Sequence, residues 1–328
     1  MTSRRAFIQQ TSLAGMALYT RARRNSPAGK RVGIIGLDTS HSIEFTKLLN
    51  SAAIESYSGY KVVCAYPCGS TAIPGNSERI KANTEAIQQY GVAIVPSIEQ
   101  LLAGTDVILL ETNDGHTHTE QFGQLLKAGK PVFIDKPVAA SLTDVVNIFN
   151  LARAGNIPVY SSSALRYGAN VQAAAMGKFG KILGAAVHSP APLEPSHPDF
   201  FWYGIHGIEM LFTVMGTGCN TVRRVYTEHT DVVIGIWEDG RIGVYTGTRQ
   251  GKFDYGGIVF CEKEIYTLDG FSGYGPLLKS ITQFFETGEA PVSPGQTIEI
   301  YAFMEAADES KRQDGAAVTL KSVLQNTN

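Results

Sequence analysis

VILLETNDGHTHTEQFGQLLKAGKPVFIDKP, from Val107 to Pro137, is the stretch that decides the fold. Val107 to Leu110 is an unbroken apolar run, which reads as a parallel strand buried on both faces. Polar residues follow from Glu111 to His118, where such a strand meets its helix. Gln121, Phe122, Leu125 and Leu126 then recur at helical spacing, and Gly129 stops the helix. Pro131 to Ile134 is a second short apolar strand that delivers Asp135, Lys136 and Pro137 to its C-terminal end. Ligands of open α/β sheets bind outside the carboxyl ends of the strands, so a lysine and two polar loops on that edge mark a candidate site. A solvated loop lysine explains the spacing of Lys136 equally well.

Outward from this stretch the same alternation repeats. Strands are expected at Lys30–Leu37, Tyr60–Ala65, Val92–Val95 and Ile157–Tyr160. Helices are expected from about Ser42 to Asn50, over Ser77–Tyr90 and Ile98–Ala103, and over Ser141–Ala154 with Ser141 as cap. Strands alternating with helices imply an α/β, doubly wound parallel sheet of the Rossmann kind. The first turn reads GLDTSH, whereas a dinucleotide-binding turn wants G-x-G-x-x-G. Gly36 matches, Asp38 takes the second glycine position and His41 the third. A carboxylate there repels a pyrophosphate unless it faces away. Thr39 and Ser40 offer hydroxyls and backbone N–H groups at a helix N-terminus, or merely cap the helix. The second strand ends in Tyr66-Pro67-Cys68-Gly69-Ser70 without the acidic residue that would hold the ribose of NAD. Ser70, Thr71 and Arg79 tilt the reading towards NADP, or the segment is simply a turn.

After residue 163 the pattern changes to strands that read as antiparallel: Ile182–His188, Thr221–Thr227, Val232–Glu238, Arg241–Thr246, Ile258–Cys261 and Glu264–Leu268. Glu238-Asp239-Gly240-Arg241 is a strong hairpin turn. His206, Met210 and Thr213 fall at helical spacing after His197-Pro198-Asp199-Phe200-Phe201-Trp202-Tyr203-Gly204-Ile205. A lone histidine in such a place is more often structural than catalytic.

GKPVFIDKP resembles the AGKHV-hydrophobic-EKP signature of the glucose–fructose oxidoreductase/inositol dehydrogenase (Gfo/Idh/MocA) family, and ETNDGHTHTEQ resembles its TPNxxHxxxA segment. Gly204-Ile205-His206 with Glu209 resembles its D-x-G-I-H-x-x-D segment, with Trp202 in place of the first aspartate. The resemblance implies a Rossmann domain over 30–163, after a leader over 1–29. It implies a C-terminal α+β domain over 164–328, with an open, mainly antiparallel sheet whose free face makes a dimer or tetramer. It implies an oxidoreductase acting on a sugar, polyol or related carbohydrate with NAD or NADP. Lys136 and His206 become the catalytic pair, the histidine as acid/base. Gly36, Thr39, Ser40, His41, Tyr66, Glu111, Thr112, Asn113, His116, Asp135 and Lys136 become cofactor contacts. Arg166, Tyr167, Trp202, Tyr203 and Glu209 become substrate neighbours, with domain-interface packing as the alternative for Arg166 and Tyr167. Two rivals stand beside the dehydrogenase: a cofactor-retaining enzyme that cleaves glycosides or epimerises, and a silent carbohydrate-binding homologue.

Composition narrows the classes further. The chain has 328 residues, 44% hydrophobic and 18% charged, with a formal net charge of −2. That is enough for two cores and gives no reason to expect a nucleic-acid partner. Cys64, Cys68, Cys219 and Cys261 make no zinc pattern, and no metal is expected. Ser3-Arg4-Arg5-Ala6-Phe7-Ile8, followed by an apolar run from Leu13 to Leu18, resembles a twin-arginine export signal. The run is too short for a permanent span. A periplasmic or otherwise exported protein is expected, with a disordered basic tail on a cytoplasmic protein as the alternative.

Overall fold

The computed structural model of the chain describes residues 30–51 and 53–327. The arginine pair and the apolar run after it lie outside the described residues. The first half of the fold alternates without exception: β1 (Arg31–Ile35), α1 (Ser40–Leu49), β2 (Lys61–Tyr66), α2 (Asn76–Gln88), β3 (Ala93–Ile94), α3 (Ile98–Gly104), β4 (Val107–Leu110), α4 (His118–Leu125), β5 (Val132–Ile134), α5 (Leu142–Ala154) and β6 (Val159–Tyr160). The strands form one parallel sheet in the order β3-β2-β1-β4-β5-β6. The order reverses between β1 and β4, so a crevice opens above their carboxyl ends. Every side chain of β4 is fully buried, which is why the stretch reads as an unbroken apolar run; each such residue contributes about 1.5–3 kcal/mol. Ser141 caps α5 by accepting from Asp144 N–H, and Gly129 takes φ +62 beyond α4.

The second half is built from α6 (Ala169–Ala175), β7 (Ile182–Pro190), α7 (Ile205–Met215), β8 (Cys219–Tyr226), β9 (Thr230–Trp237), β10 (Ile242–Thr248), β11 (Gly256–Cys261), β12 (Ile265–Leu268), α8 (Gly275–Thr287), α9 (Pro294–Arg312), β13 (Val318–Thr319) and α10 (Leu320–Gln325). Its sheet runs β12-β11-β7-β10-β9-β8-β13. It is mainly antiparallel, with one correction to the sequence reading: β7 and β10 pair in parallel, Ile242 opposite Gly184 through Thr248 opposite Pro190. The long connection through α7, β8 and β9 carries the chain back to the same end of the sheet, which is what a parallel pair requires. The expected hairpin at Asp239-Gly240 joins β9 to β10, with Gly240 at φ +85. β9 alternates in burial and turns Val233 and Trp237 inward. A Cβ on Gly243 would sit 2.7 Å from the Trp237 ring, so that glycine makes room for the indole.

Two features join the halves. α8 returns to the first half and packs Leu277, Leu278, Ile281, Phe284 and Phe285 into one core with Val32, Ile34 and Val62. Tyr301 of α9 reaches back as well, its phenol accepting from Val138 N–H at 2.6 Å just after Lys136. The loop that carries the lysine is therefore held by both halves.

Candidate functional site

The crevice begins at the turn after β1. Gly36 has φ +98, and a Cβ on it would meet Thr112 N at 2.4 Å; only glycine lets the ends of β1 and β4 approach so closely. Thr39 is the cap of α1, its Oγ1 accepting from His41 N–H at 3.3 Å, while Ser40 stays exposed. Asp38 faces away from the helix N-terminus and is fully buried. Its Oδ1 accepts from Asn113 N–H at 3.0 Å and its Oδ2 from the Asn76 amide at 3.2 Å. Asn113 and Asn76 bond each other, and Arg79 donates to Asp38 O and Asn76 Oδ1 at 3.0 Å each. Burial outweighs these donors and pushes the Asp38 carboxyl up to about 6. Of the expected cofactor contacts, Asn113 is spent inside this network and Thr112 donates its hydroxyl to Gln121 at 2.7 Å. Tyr66 meets the turn through its carbonyl, which accepts from Gly36 N–H.

The expected catalytic pair does converge. Lys136 leaves the end of β5 with its Nζ 5.9 Å from the centre of the Tyr203 ring, within cation–π range. His206, in the first turn of α7, sets its ring edge-on to the same tyrosine at 5.0 Å and to Tyr255 at 6.3 Å. The two phenols bond each other at 2.7 Å. Burial, with Lys136 and His41 adding positive charge nearby, holds the His206 imidazole well below the usual histidine range. Its Nδ1 meets Ser163 Oγ at 2.7 Å. Glu209 does not touch His206. It accepts from Ser163 N–H and from Arg166 Nε, both at 2.8 Å, and from the Ser162 hydroxyl. Glu209 and Arg166 are thus a buried ion pair that fixes the segment holding Ser163.

Other expected substrate neighbours lie apart. Tyr167 turns to Tyr160 and to Ser280 of α8, the latter at 2.9 Å, which is the packing between the halves that the sequence reading kept as its alternative. Trp202 sits against His197 at 5.1 Å. His116 belongs to the same rim: its Nδ1 meets Asp114 Oδ1 at 2.8 Å, and its ring stands 4.9 Å from that of His197. This puts His116 away from Lys136 and His206.

Near the turn and the Lys136–His206 pair lies a buried acidic floor. His41 Nδ1 meets Asp135 Oδ2 at 2.8 Å, with the imidazole edge-on to Tyr274 at 4.7 Å. Glu111, at the end of β4, is fully buried and neither of its oxygens has a hydrogen-bond partner. Burial and the neighbouring Asp135 carboxylate push the Glu111 carboxyl well up. Sequence reading places these three residues at the crevice, but the contributions of Ser163, Tyr255, Tyr274 and Asn76 escape it. They come from distant segments with no motif of their own.

Comparison with known proteins agrees with this architecture. No curated protein matches the chain. Among solved structures, a protein described as a probable dehydrogenase from Thermotoga maritima is similar over 89% of this chain and 99% of its own, with 20% identity and a TM-score of 0.73. A myo-inositol dehydrogenase from Lactobacillus casei, crystallised with NAD(H) and myo-inositol, is similar over 88% and 96%, with 15% identity and a TM-score of 0.70. A scyllo-inositol dehydrogenase from the same organism, with NAD(H) and scyllo-inositol, covers 89% and 99% at 13% identity and a TM-score of 0.71. These likenesses establish the shared fold. Residues 30–161 match the model of the GFO_IDH_MocA oxidoreductase family, described by its NAD-binding Rossmann fold.

Proposed function

We propose that the chain is an NAD-dependent oxidoreductase acting on a hydroxyl group of a sugar, polyol or related carbohydrate. The observation that carries this reading is the meeting of Lys136 and His206 across Tyr203, where the end of a Rossmann strand faces the second half of the fold. The residues fit a nicotinamide dinucleotide at both ends of the crevice. The tight turn at Gly36 and the N-terminus of α1 suit a pyrophosphate. The mouth formed by Lys136, Tyr203, His206 and Tyr255 suits a nicotinamide ring and a hydroxylated substrate. Arg79 is committed to Asp38 and Asn76, which favours NAD over a nucleotide carrying a 2′-phosphate. When bound, NAD supplies the hydride acceptor.

The protein's part is positioning and proton handling. Lys136 holds the substrate oxygen by charge and hydrogen bonding. His206, kept neutral by its surroundings, accepts the hydroxyl proton; with Nδ1–H donating to Ser163 Oγ, the lone pair of Nε2 is the acceptor. The Glu209–Arg166 pair holds Ser163, and through it the imidazole, in place. Tyr203 and Tyr255 line the mouth and exclude water.

The mutual satisfaction of Asp38, Asn113, Asn76 and Arg79 without any ligand favours one second reading, a carbohydrate-binding homologue that has lost its nucleotide. Calorimetric titration of the intact protein with NAD and NADP, followed by a screen of polyols, sugars and glycosides for turnover, separates the two. Saturable NAD binding with turnover is expected; a folded protein with no affinity for either nucleotide supports the silent binder. Export is part of the proposal, on the order of Arg4-Arg5 and the apolar run. Changing both arginines to lysine should hold the precursor in the cytoplasm, and unchanged delivery removes this element.

A further inference from the structure

We propose that His41, Glu111 and Asp135 bind a divalent transition-metal cation, Mn²⁺ or Zn²⁺, on the floor of the crevice. One imidazole and two carboxylates offer ligand atoms that all lie within 4.8 Å of one another. Three residues of that kind can meet without a metal, but here a second observation points to a ligand. Glu111 is fully buried, and Oε1 and Oε2 both lack a hydrogen-bond partner; Asp135 is 1% exposed, and its Oδ1 lacks one too. Three buried carboxylate oxygens left unsatisfied are costly, since buried charges are ordinarily paired or coordinate metals. The Lys136 ammonium lies over the Tyr203 ring and, among the described residues, makes no hydrogen bond to either carboxylate. Its charge acts on both groups from a distance, but these three oxygens stay without a hydrogen-bond partner.

The donor set chooses the class of ion. Imidazole with carboxylate suits Mn²⁺ and Zn²⁺, whereas Mg²⁺ takes oxygen and water. Bonds of about 2.0–2.2 Å would bring the farther ligand atoms together and replace the hydrogen bond between His41 Nδ1 and Asp135 Oδ2, now 2.8 Å apart. Three protein ligands leave coordination positions open, as catalytic rather than structural sites do. His41 and Asp135 lie near enough to His206 to act on its charge, as does Lys136. An oxyanion approaching this floor meets repulsion from Asp135 when the site is bare and attraction when it holds the cation. The rim cluster of Asp114, His116 and His197 is a weaker candidate. Its polar atoms are already bonded to one another, to Gly115 N–H and to Ser196.

The inference concerns the same crevice as the nucleotide reading but does not depend on it. The test is titration of chelator-treated, full-length protein with Mn²⁺, Zn²⁺ and Mg²⁺ by calorimetry, with stoichiometry from elemental mass spectrometry and no nucleotide present. One equivalent of Mn²⁺ or Zn²⁺ is expected, with Mg²⁺ much weaker. Glu111→Gln and Asp135→Asn should each weaken binding more than about 100-fold, beyond the loss typical of an outer partner. Asp114→Asn should leave the affinity unchanged. No stoichiometric binding by the wild-type protein overturns the site, whichever variants fold. So does binding that survives Glu111→Gln and disappears in Asp114→Asn. A failed NAD titration on the metal-free protein leaves the metal result intact, so the two readings fail separately.

Discussion

Asp38 replaces a glycine yet holds the crevice together, because its carboxyl is the common acceptor for Asn113 N–H and the Asn76 amide. Asp38→Ala should cost about 1–3 kcal/mol, the usual penalty for stranding buried donors, measured by urea unfolding at neutral pH. The same residue makes stability depend on pH. Its folded value, about 6, stands above the ordinary 3.8. For an acid raised on folding, the contribution is fully present below 3.8 and is lost as pH rises through about 6. A shift of about two units corresponds to roughly 3 kcal/mol. Asp38→Asn should flatten the fall in stability between pH 4 and 6, and an unaltered slope would detach the residue from that dependence. GLDTSH is visibly short of glycines, and local turn chemistry for Asp-Thr-Ser is readable from residue type. Its partners at 76, 79 and 113 are not, because a hydrogen bond across 75 positions leaves no local trace. Glu111 is legible as a polar residue at a strand end, but its isolation from any donor emerges only once the neighbouring loops close.

At the scale of elements, period and punctuation locate most strands and helices to within a residue or two. β4 coincides with its expected span because nothing polar interrupts it. Direction is another matter. β7 carries the same hydropathy pattern whether it pairs parallel or antiparallel with β10, and the long route through α7 decides it. The segment Gly275–Thr287 has its apolar residues at helical spacing, but nothing local says that they pack on the first sheet. α8 thus makes the halves interdependent. Phe284 is 1% exposed and lies 5.5 Å from the Tyr160 ring. Phe284→Ala should cost about 3–5 kcal/mol. Chemical denaturation should show both halves losing stability in one transition, whereas an early transition confined to the second half would make α8 a mere appendage.

Among the described residues, one face of the second sheet is without cover. Val225, Ile236, Ile242, Ile258, Phe260 and Ile265 are each at least 40% exposed. Ile236 pairs with Ile242 and Phe260 with Ile265 across neighbouring strands. A contiguous apolar face of this kind marks an interface, so a homo-oligomer is expected by light scattering. Ile236→Lys with Ile242→Lys should release monomers, and a wild-type protein that stays monomeric at high concentration would refute the interface. The same scale governs the proposed catalysis, because Lys136 comes from the first half, His206 from the second, and Tyr301 and α8 hold the two together. Both residues are legible from motif resemblance; their meeting follows only from the way the halves pack. The most direct test is turnover of the accepted substrate by His206→Ala, Lys136→Ala and the double variant, each checked for fold by circular dichroism. Each single change should lower turnover at least about 100-fold, and the double should be little worse than the worse single, since groups acting as one unit are non-additive; near-normal turnover in both singles would contradict the site.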